Sequence, residues 1–383
     1  MSRRRILLAW SNLRHERTRL LVAIAGVAFA VILIFMNLGF MGALIQTNVN
    51  FYKQFNGDLF LMSPQSLEIS TTEPFPRERL YQAAGIEGIA RVMPLYSDYL
   101  FWRNPETRNS RAIFTYGINP DDPAFLMPEL QDASTRKRLQ QPNSTFMDRL
   151  SRPEFGPQAP GTVTEIDRRR VTVIGNYSLG GGFAADGTLI MSDQNFIRYR
   201  APRGLDTINL GLILLEPGVS PEKMAATLRK ILPVDVDIYT KAGIIQHDTT
   251  YWLQSTAIGF IFSMGVAVSF IVGTIIVYQV LSTDIREHLP EYATLKAIGY
   301  RGGYLFKVVL QEALILALLG YGPGCLIALG LYQLTMRATA GTLPMQMDPG
   351  RMVAVLLLTL LMCSLSGLVS VRKAVTADPA DVF

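Results

Sequence analysis

The sequence predicts a membrane protein with four transmembrane α-helices and a large mixed α/β domain inserted between spans 1 and 2. Three observations predict it. Four stretches are almost purely apolar, each near the roughly 20 residues needed to cross a hydrocarbon layer. A long polar region separates the first stretch from the other three. Arginine and lysine gather beside the apolar stretches, more on one side than the other. The chain has 383 residues, 49% of them hydrophobic, and a net charge of +5. A basic balance can mark a nucleic-acid partner. Here the excess arginines flank apolar stretches, so the expected partner is the lipid bilayer and nucleic acid is not expected.

The elements follow in chain order. In residues 1–19, Ile6, Trp10 and Leu13 recur at helical spacing among arginines. That pattern suits a cytoplasmic interfacial helix, with a basic tail as the plainer reading. Residues 20–41 form span 1, which carries no charged residue. A signal peptide has an apolar stretch of about 7–15 residues followed by a small-residue cleavage site. This stretch is longer and no A-x-A follows it, so a retained helix is expected.

Residues 42–256 read as mixed α and β. Asp58–Met62, Val171–Tyr177 and Thr207–Leu215 suit strands. Arg77–Ala84 and Pro221–Leu232 suit helices, the second with proline in its first turn. Gln141–Gly161, rich in proline and polar residues, reads as a loop or a boundary between lobes. Leu44, Asn48, Phe51 and Phe55 repeat at helical spacing after span 1, and Ile245, Thr249 and Trp252 do so before span 2. The two segments are expected to rise together as a stalk, or else to fray into loops.

Residues 257–383 hold the other spans, at about 257–281, 305–332 and 353–371, with a loop at 282–304. Arg3, Arg4, Arg5, Arg14, Arg17 and Arg19 precede span 1. Arg286, Lys296 and Arg301 fall between spans 2 and 3 with Lys307 at the start of span 3, and Arg372 and Lys373 follow span 4. The loop between spans 3 and 4 has only Arg337 and Arg351. This bias places both termini in the cytoplasm and the inserted domain outside. The only cysteines, Cys325 and Cys363, lie in apolar stretches, so no disulfide framework is expected. A cysteine-free exported domain fits the bacterial periplasm.

Chemistry-bearing motifs are scarce. His15, His247 and His288 are far apart and form no metal-ligand pair. Gly180-Gly181-Gly182 lacks the helix, lysine and Ser/Thr of a phosphate loop and reads as a turn. No G-x-x-x-x-G-K-[ST] occurs, so no catalytic, cofactor or metal site is expected on this chain. No Asp, Glu, Lys, Arg or His sits in the middle of a span, and Lys307 and Glu312 occur only near the start of span 3. An ion-coupled transporter would need such groups at depth. In span 3, Gly322-Pro323-Gly324 reads either as a hinge or as a proline tolerated beside close packing of small residues.

The loop at 282–304 carries its own helix punctuation. Pro290 suits a first helical position, Glu291 the dipole's positive end, Lys296 its negative end and Gly299 a cap. Tyr292 and Leu295 share a face. A docking knob for a cytoplasmic partner and a plain connecting helix both fit.

Arg286-Glu287 followed by Glu291-Tyr292-Ala293-Thr294-Leu295-Lys296-Ala297-Ile298-Gly299 resembles the FtsX-like permease family, which includes MacB-type transporters. The C-terminal Arg372-Lys373-Ala374 leading to Asp378-Pro379-Ala380 resembles the end of those permeases, and the topology agrees. Segment 173–196, with Gly180-Gly181-Gly182-Phe183 and Leu189-Ile190-Met191-Ser192-Asp193, is most similar to the DevC permeases of DevBCA-type exporters. The resemblance implies an inner-membrane permease subunit with a MacB-like periplasmic core domain. It implies that Glu291, Tyr292, Leu295 and Lys296 contact a separate ABC ATPase subunit, which holds ATP and Mg. A second permease copy, a membrane-fusion adaptor and a TolC-like outer-membrane channel are the other implied partners. The implied activity is ATP-driven efflux of a lipid-like substrate by mechanotransmission. The alternatives are lipoprotein release, or regulation of envelope hydrolases without transport.

Overall fold

The computed structural model describes residues 17–180, 185–287, 302–339 and 343–376. The chain comprises two compact units, a membrane unit and an inserted unit, the latter of residues 43–256 with 339–344. Helix α1, Arg17–Lys53, begins in the first and ends in the second without interruption.

In the inserted unit, β1 (Leu59–Met62) and β2 (Phe75–Pro76) precede α2 (Glu78–Ala84). Then come the long β3 (Ile89–Arg103), β4 (Ser110–Ile118), the short α3 (Ala133–Lys137) and β5 (Ser144–Asp148). The chain continues through β6 (Val163–Ile166), β7 (Arg169–Tyr177), β8 (Thr188–Ser192) and α4 (Asp193–Tyr199). It closes with β9 (Thr207–Ile208), β10 (Leu210–Leu215), α5 (Pro221–Ile231), β11 (Asp237–Thr240) and α6 (Lys241–Thr250). Side-chain oxygens cap α3, α4, α5 and α6, though not α2, as sequence rules lead one to expect. Ser192 accepts from the Asn195 N–H, Ser220 from Lys223 and Thr240 from Gly243.

Nine strands form one sheet in the order β11-β1-β10-β3-β4-β8-β5-β7-β6. The last strand pairs back onto β3, Trp102 against Ile166 and Arg103 against Glu165, so six strands close into a ring. β4–β8 and β5–β7 are parallel and the other pairs of this sheet antiparallel. The sheet is covered on both faces, so its strands read as continuous apolar runs. In β1, Leu59 and Leu61 enter one core with Trp102, Phe155 and Val173. Phe60 and Met62 enter the other with Tyr52, Phe55, Tyr116 and Phe125.

The segment 141–161 departs from the expected loop or lobe boundary. β5 lies inside it as a fully buried strand between β7 and β8. Its polar residues disguise it but are satisfied internally. Thr145 donates to the Ile190 carbonyl at 3.1 Å, and Asp148 accepts the N–H groups of Leu150 and Gly180 at 3.0 and 2.8 Å. The run Thr207–Leu215 is also two strands. Asn209 interrupts it and bonds Ser97 N–H and the Thr72 hydroxyl, at 3.0 Å each.

In the membrane unit, α7 (Ala257–Glu287), α8 (Gly302–Ala338) and α9 (Pro349–Thr376) join the first part of α1. All four helices are long and apolar enough to cross a membrane. Each keeps large apolar side chains outward, such as Phe29, Ile271, Leu326 and Leu361, as lipid contact requires. Hydroxyls act as interhelical glue. Ser366 donates to the Thr274 carbonyl at 2.7 Å, Tyr321 to the Met352 carbonyl at 3.0 Å, and Tyr332 to the Phe35 carbonyl. Glu312 stands in the second turn of the third span, fully buried.

Candidate functional site

The helix leaving span 1 ends in an aromatic cluster. The ring of Phe55 stacks on Phe125 at 5.1 Å, and Tyr52 meets Phe60 edge-on at 5.7 Å. Such pairs add to area burial and fix the angle of the helix end. At the centre of this cluster the Tyr52 hydroxyl donates to Asp248 Oδ2 at 2.5 Å. Asp248 has no solvent exposure. Its carboxylate also accepts the Ile69 N–H at 3.2 Å and contacts His247 Nδ1 at 3.1 Å. A buried carboxylate is costly unless donors replace its water. Here three elements supply them.

Asp248 belongs to α6, the segment that leads to span 2. It therefore ties the end of α1 to the segment that leads in sequence to span 2. A second tie lies at the start of α6, where Lys241 Nζ donates to the Phe55 carbonyl at 2.9 Å. Burial pushes the Tyr52 phenol well above its ordinary range, so it stays a donor. The hydrogen bond to Asp248 raises His247, and burial lowers Lys241.

The two segments expected to rise as a stalk, or else to fray into loops, differ in structure. α1 is one helix through Lys53, whereas α6 gives way to a π turn at Tyr251–Ser255 and an extended Thr256 before α7 begins. The buried face of α6 is Ile244 and Asp248, one position before the Ile245–Thr249 face read from periodicity. Tyr52 and Asp248 escaped sequence reading because 196 residues separate them.

Glu291, Tyr292, Leu295 and Lys296 lie outside the described residues, as do residues 1–16, His288, Gly181–Ala184 and Asp378–Ala380. Gly322, Pro323 and Gly324 lie within the uninterrupted α8. A Cβ at Gly324 would stand 2.8 Å from Val31 and 3.0 Å from the Ala28 carbonyl, and one at Gly320 only 2.5 Å from Val27. Gly320 and Gly324 form a G-x-x-x-G pair that admits α1 to close approach. Gly322 faces nothing within 4 Å.

Residues 20–231 match the MacB-like periplasmic core domain, and residues 253–379 match the FtsX-like permease C-terminal domain. The macrolide export ATP-binding/permease protein MacB of Acinetobacter baylyi (strain ATCC 33305 / BD413 / ADP1) is 30% identical over 112 residues. That stretch covers 29% of this chain and 17% of the relative's length. Among solved structures, the periplasmic region of MacB from Actinobacillus actinomycetemcomitans is similar at 12% identity and a TM-score of 0.36, over 50% of this chain and 92% of that one. The extracellular domain of the noncanonic ABC-type transporter YknZ from Gram-positive bacteria gives 14% identity and a TM-score of 0.34, over 48% and 100%. The core-domain match alone spans more than half of the sequence. The chain therefore belongs to the MacB-type ABC transporter permease family, with a MacB-like periplasmic core domain joined to an FtsX-like permease domain.

Proposed function

We propose that the chain is the permease subunit of an ATP-driven efflux system in the bacterial inner membrane, with both termini cytoplasmic. The likeness to DevC permeases supports an ATPase, with its ATP and Mg, on a separate subunit. That ATPase docks on Glu291, Tyr292, Leu295 and Lys296. The continuity of α1 into the Tyr52–Asp248 tie carries the proposal. A helix tied at its far end to the segment feeding span 2 passes motion at the cytoplasmic surface to the periplasmic domain. α7, the least buried of the four spans, supplies a face for a second copy. The export named for the Acinetobacter relative supports outward transport. By its likeness to DevC permeases, the cargo is lipid-like or amphiphilic, and it leaves through a membrane-fusion adaptor and a TolC-like channel without crossing these spans.

Inserting two glycines after Val49 tests the transmission. The insertion softens the helix between membrane and tie, since each glycine costs about 1 kcal/mol of helix propensity. Coupled export should fall at least tenfold while the protein still assembles with its ATPase. Unchanged export would remove the lever from the mechanism.

A further inference from the structure

The tips of two hairpins meet on the inserted domain. One joins β3 to β4 and the other joins β6 to β7. Between them lies a cavity of about 490 Å³, lined by Phe101, Arg103, Arg108, Glu165, Asp167 and Arg168. Of the four described non-glycine residues at positive φ, three line this cavity: Arg108 at 60°, Asp167 at 48° and Arg168 at 66°. Asp167 and Arg168 form a two-residue turn, since Ile166 pairs directly with Arg169. A turn with both central residues at positive φ favours Asp-Gly or Asn-Gly. Arg168 stands where glycine fits without strain. Strain of this kind concentrates at functional sites, and here it holds arginines at both hairpin tips.

The side chains have matching chemistry. Arg103 is positioned by Glu165 at 2.8 Å and by the Arg108 carbonyl at 3.3 Å. Arg108 and Arg168 make no ion pair within 4 Å with any described residue, although the charge of Arg108 helps to lower the Glu165 carboxyl, and their planar forks suit an incoming oxyanion. Phe101, 59% exposed, forms an apolar wall beside them. Glu165 and Asp167 offset part of the positive charge. The three arginines still outnumber the two carboxylates, so the lining keeps a net positive charge that attracts an anion.

We propose that this cavity binds a phosphate-type oxyanion, either free or as the headgroup of an anionic amphiphile whose chain lies on Phe101. The site stands on these residues alone, whether or not the chain exports anything.

The test uses the full chain in nanodiscs of zwitterionic phosphatidylcholine. Calorimetry follows titration with three soluble probes: dihexanoyl phosphatidic acid, dihexanoyl phosphatidylcholine and inorganic phosphate. Phosphatidic acid should bind saturably, one per chain, and phosphatidylcholine should not. The R108G/R168G variant should bind at least tenfold more weakly while its melting temperature holds or rises, because glycine relieves both turns. R149Q, an exposed arginine outside the cavity, should bind like the wild type. Inorganic phosphate binding as tightly as phosphatidic acid would support the free anion, and binding tenfold weaker would support the amphiphile. Equal binding of phosphatidic acid by wild type and R108G/R168G would overturn the proposal. So would equal binding of phosphatidylcholine, or no saturable binding of either phosphate probe.

Discussion

Replacing Asp248 with leucine is expected to lower the stability of the periplasmic domain by about 3 kcal/mol, and Tyr52→Phe by about 1.5 kcal/mol. The difference follows from what each change leaves behind. Tyr52→Phe removes one of the donors to a carboxylate that keeps the Ile69 N–H and His247. Asp248→Leu removes the acceptor and strands the Tyr52 hydroxyl and the Ile69 N–H in an apolar cluster. A loss of 3 kcal/mol changes the folded-to-unfolded ratio by a factor of more than 100. Denaturant unfolding of a Trp10→Phe/Trp252→Phe background of the full chain in nanodiscs, followed by the fluorescence of Trp102 in the domain core, reads it. The double variant should lose less than the sum of the two, because both changes break one bond. Additive losses would mean that the two residues do not act as a tie.

Gly324→Ile should disrupt the membrane unit, whereas Gly322→Ala should not. A side chain at Gly324 meets Val31 and the backbone of Ala28, which cannot rotate away. Overpacking of this kind costs about 1–3 kcal/mol, and a G320I/G324I pair faces the same clash twice. Gly322 has open space, so alanine there adds helix propensity of about 1 kcal/mol at no steric cost. Thermal unfolding and monodispersity on size exclusion read the packing effect. The same variants separate the two readings of Gly322-Pro323-Gly324. A hinge predicts that Gly322→Ala slows export in a stable protein. Packing alone predicts wild-type export there and loss only at Gly320 and Gly324.

The parts of this structure legible in the sequence are those whose cause is local. The spans show because lipid demands uninterrupted apolar runs. The helix Pro221–Ile231 shows because Ser220 and Pro221 mark its start. β5 was hidden because Ser144, Thr145 and Asp148 look like loop residues until their buried partners are known. The Tyr52–Asp248 tie depends on topology that brings the ends of the inserted domain together, and helical periodicity reports a face without its partner. The arginine cavity was hidden for a related reason. Positive φ at Arg108 and Arg168 contradicts residue preference, and only the pairing of β3 with β6 places the two hairpin tips side by side.

We propose that this permease couples to a separate ATPase through the loop between its second and third spans. The most direct measurement is the ATP hydrolysis rate of a candidate partner ATPase in lipid, alone, with this protein, and with its Tyr292→Ala/Leu295→Ala variant. The wild type should bind the ATPase and change its rate at least severalfold, and the variant should stay folded in the membrane but leave the rate at its basal level. An ATPase that neither binds nor responds to the wild type, or that responds equally to the variant, would contradict it.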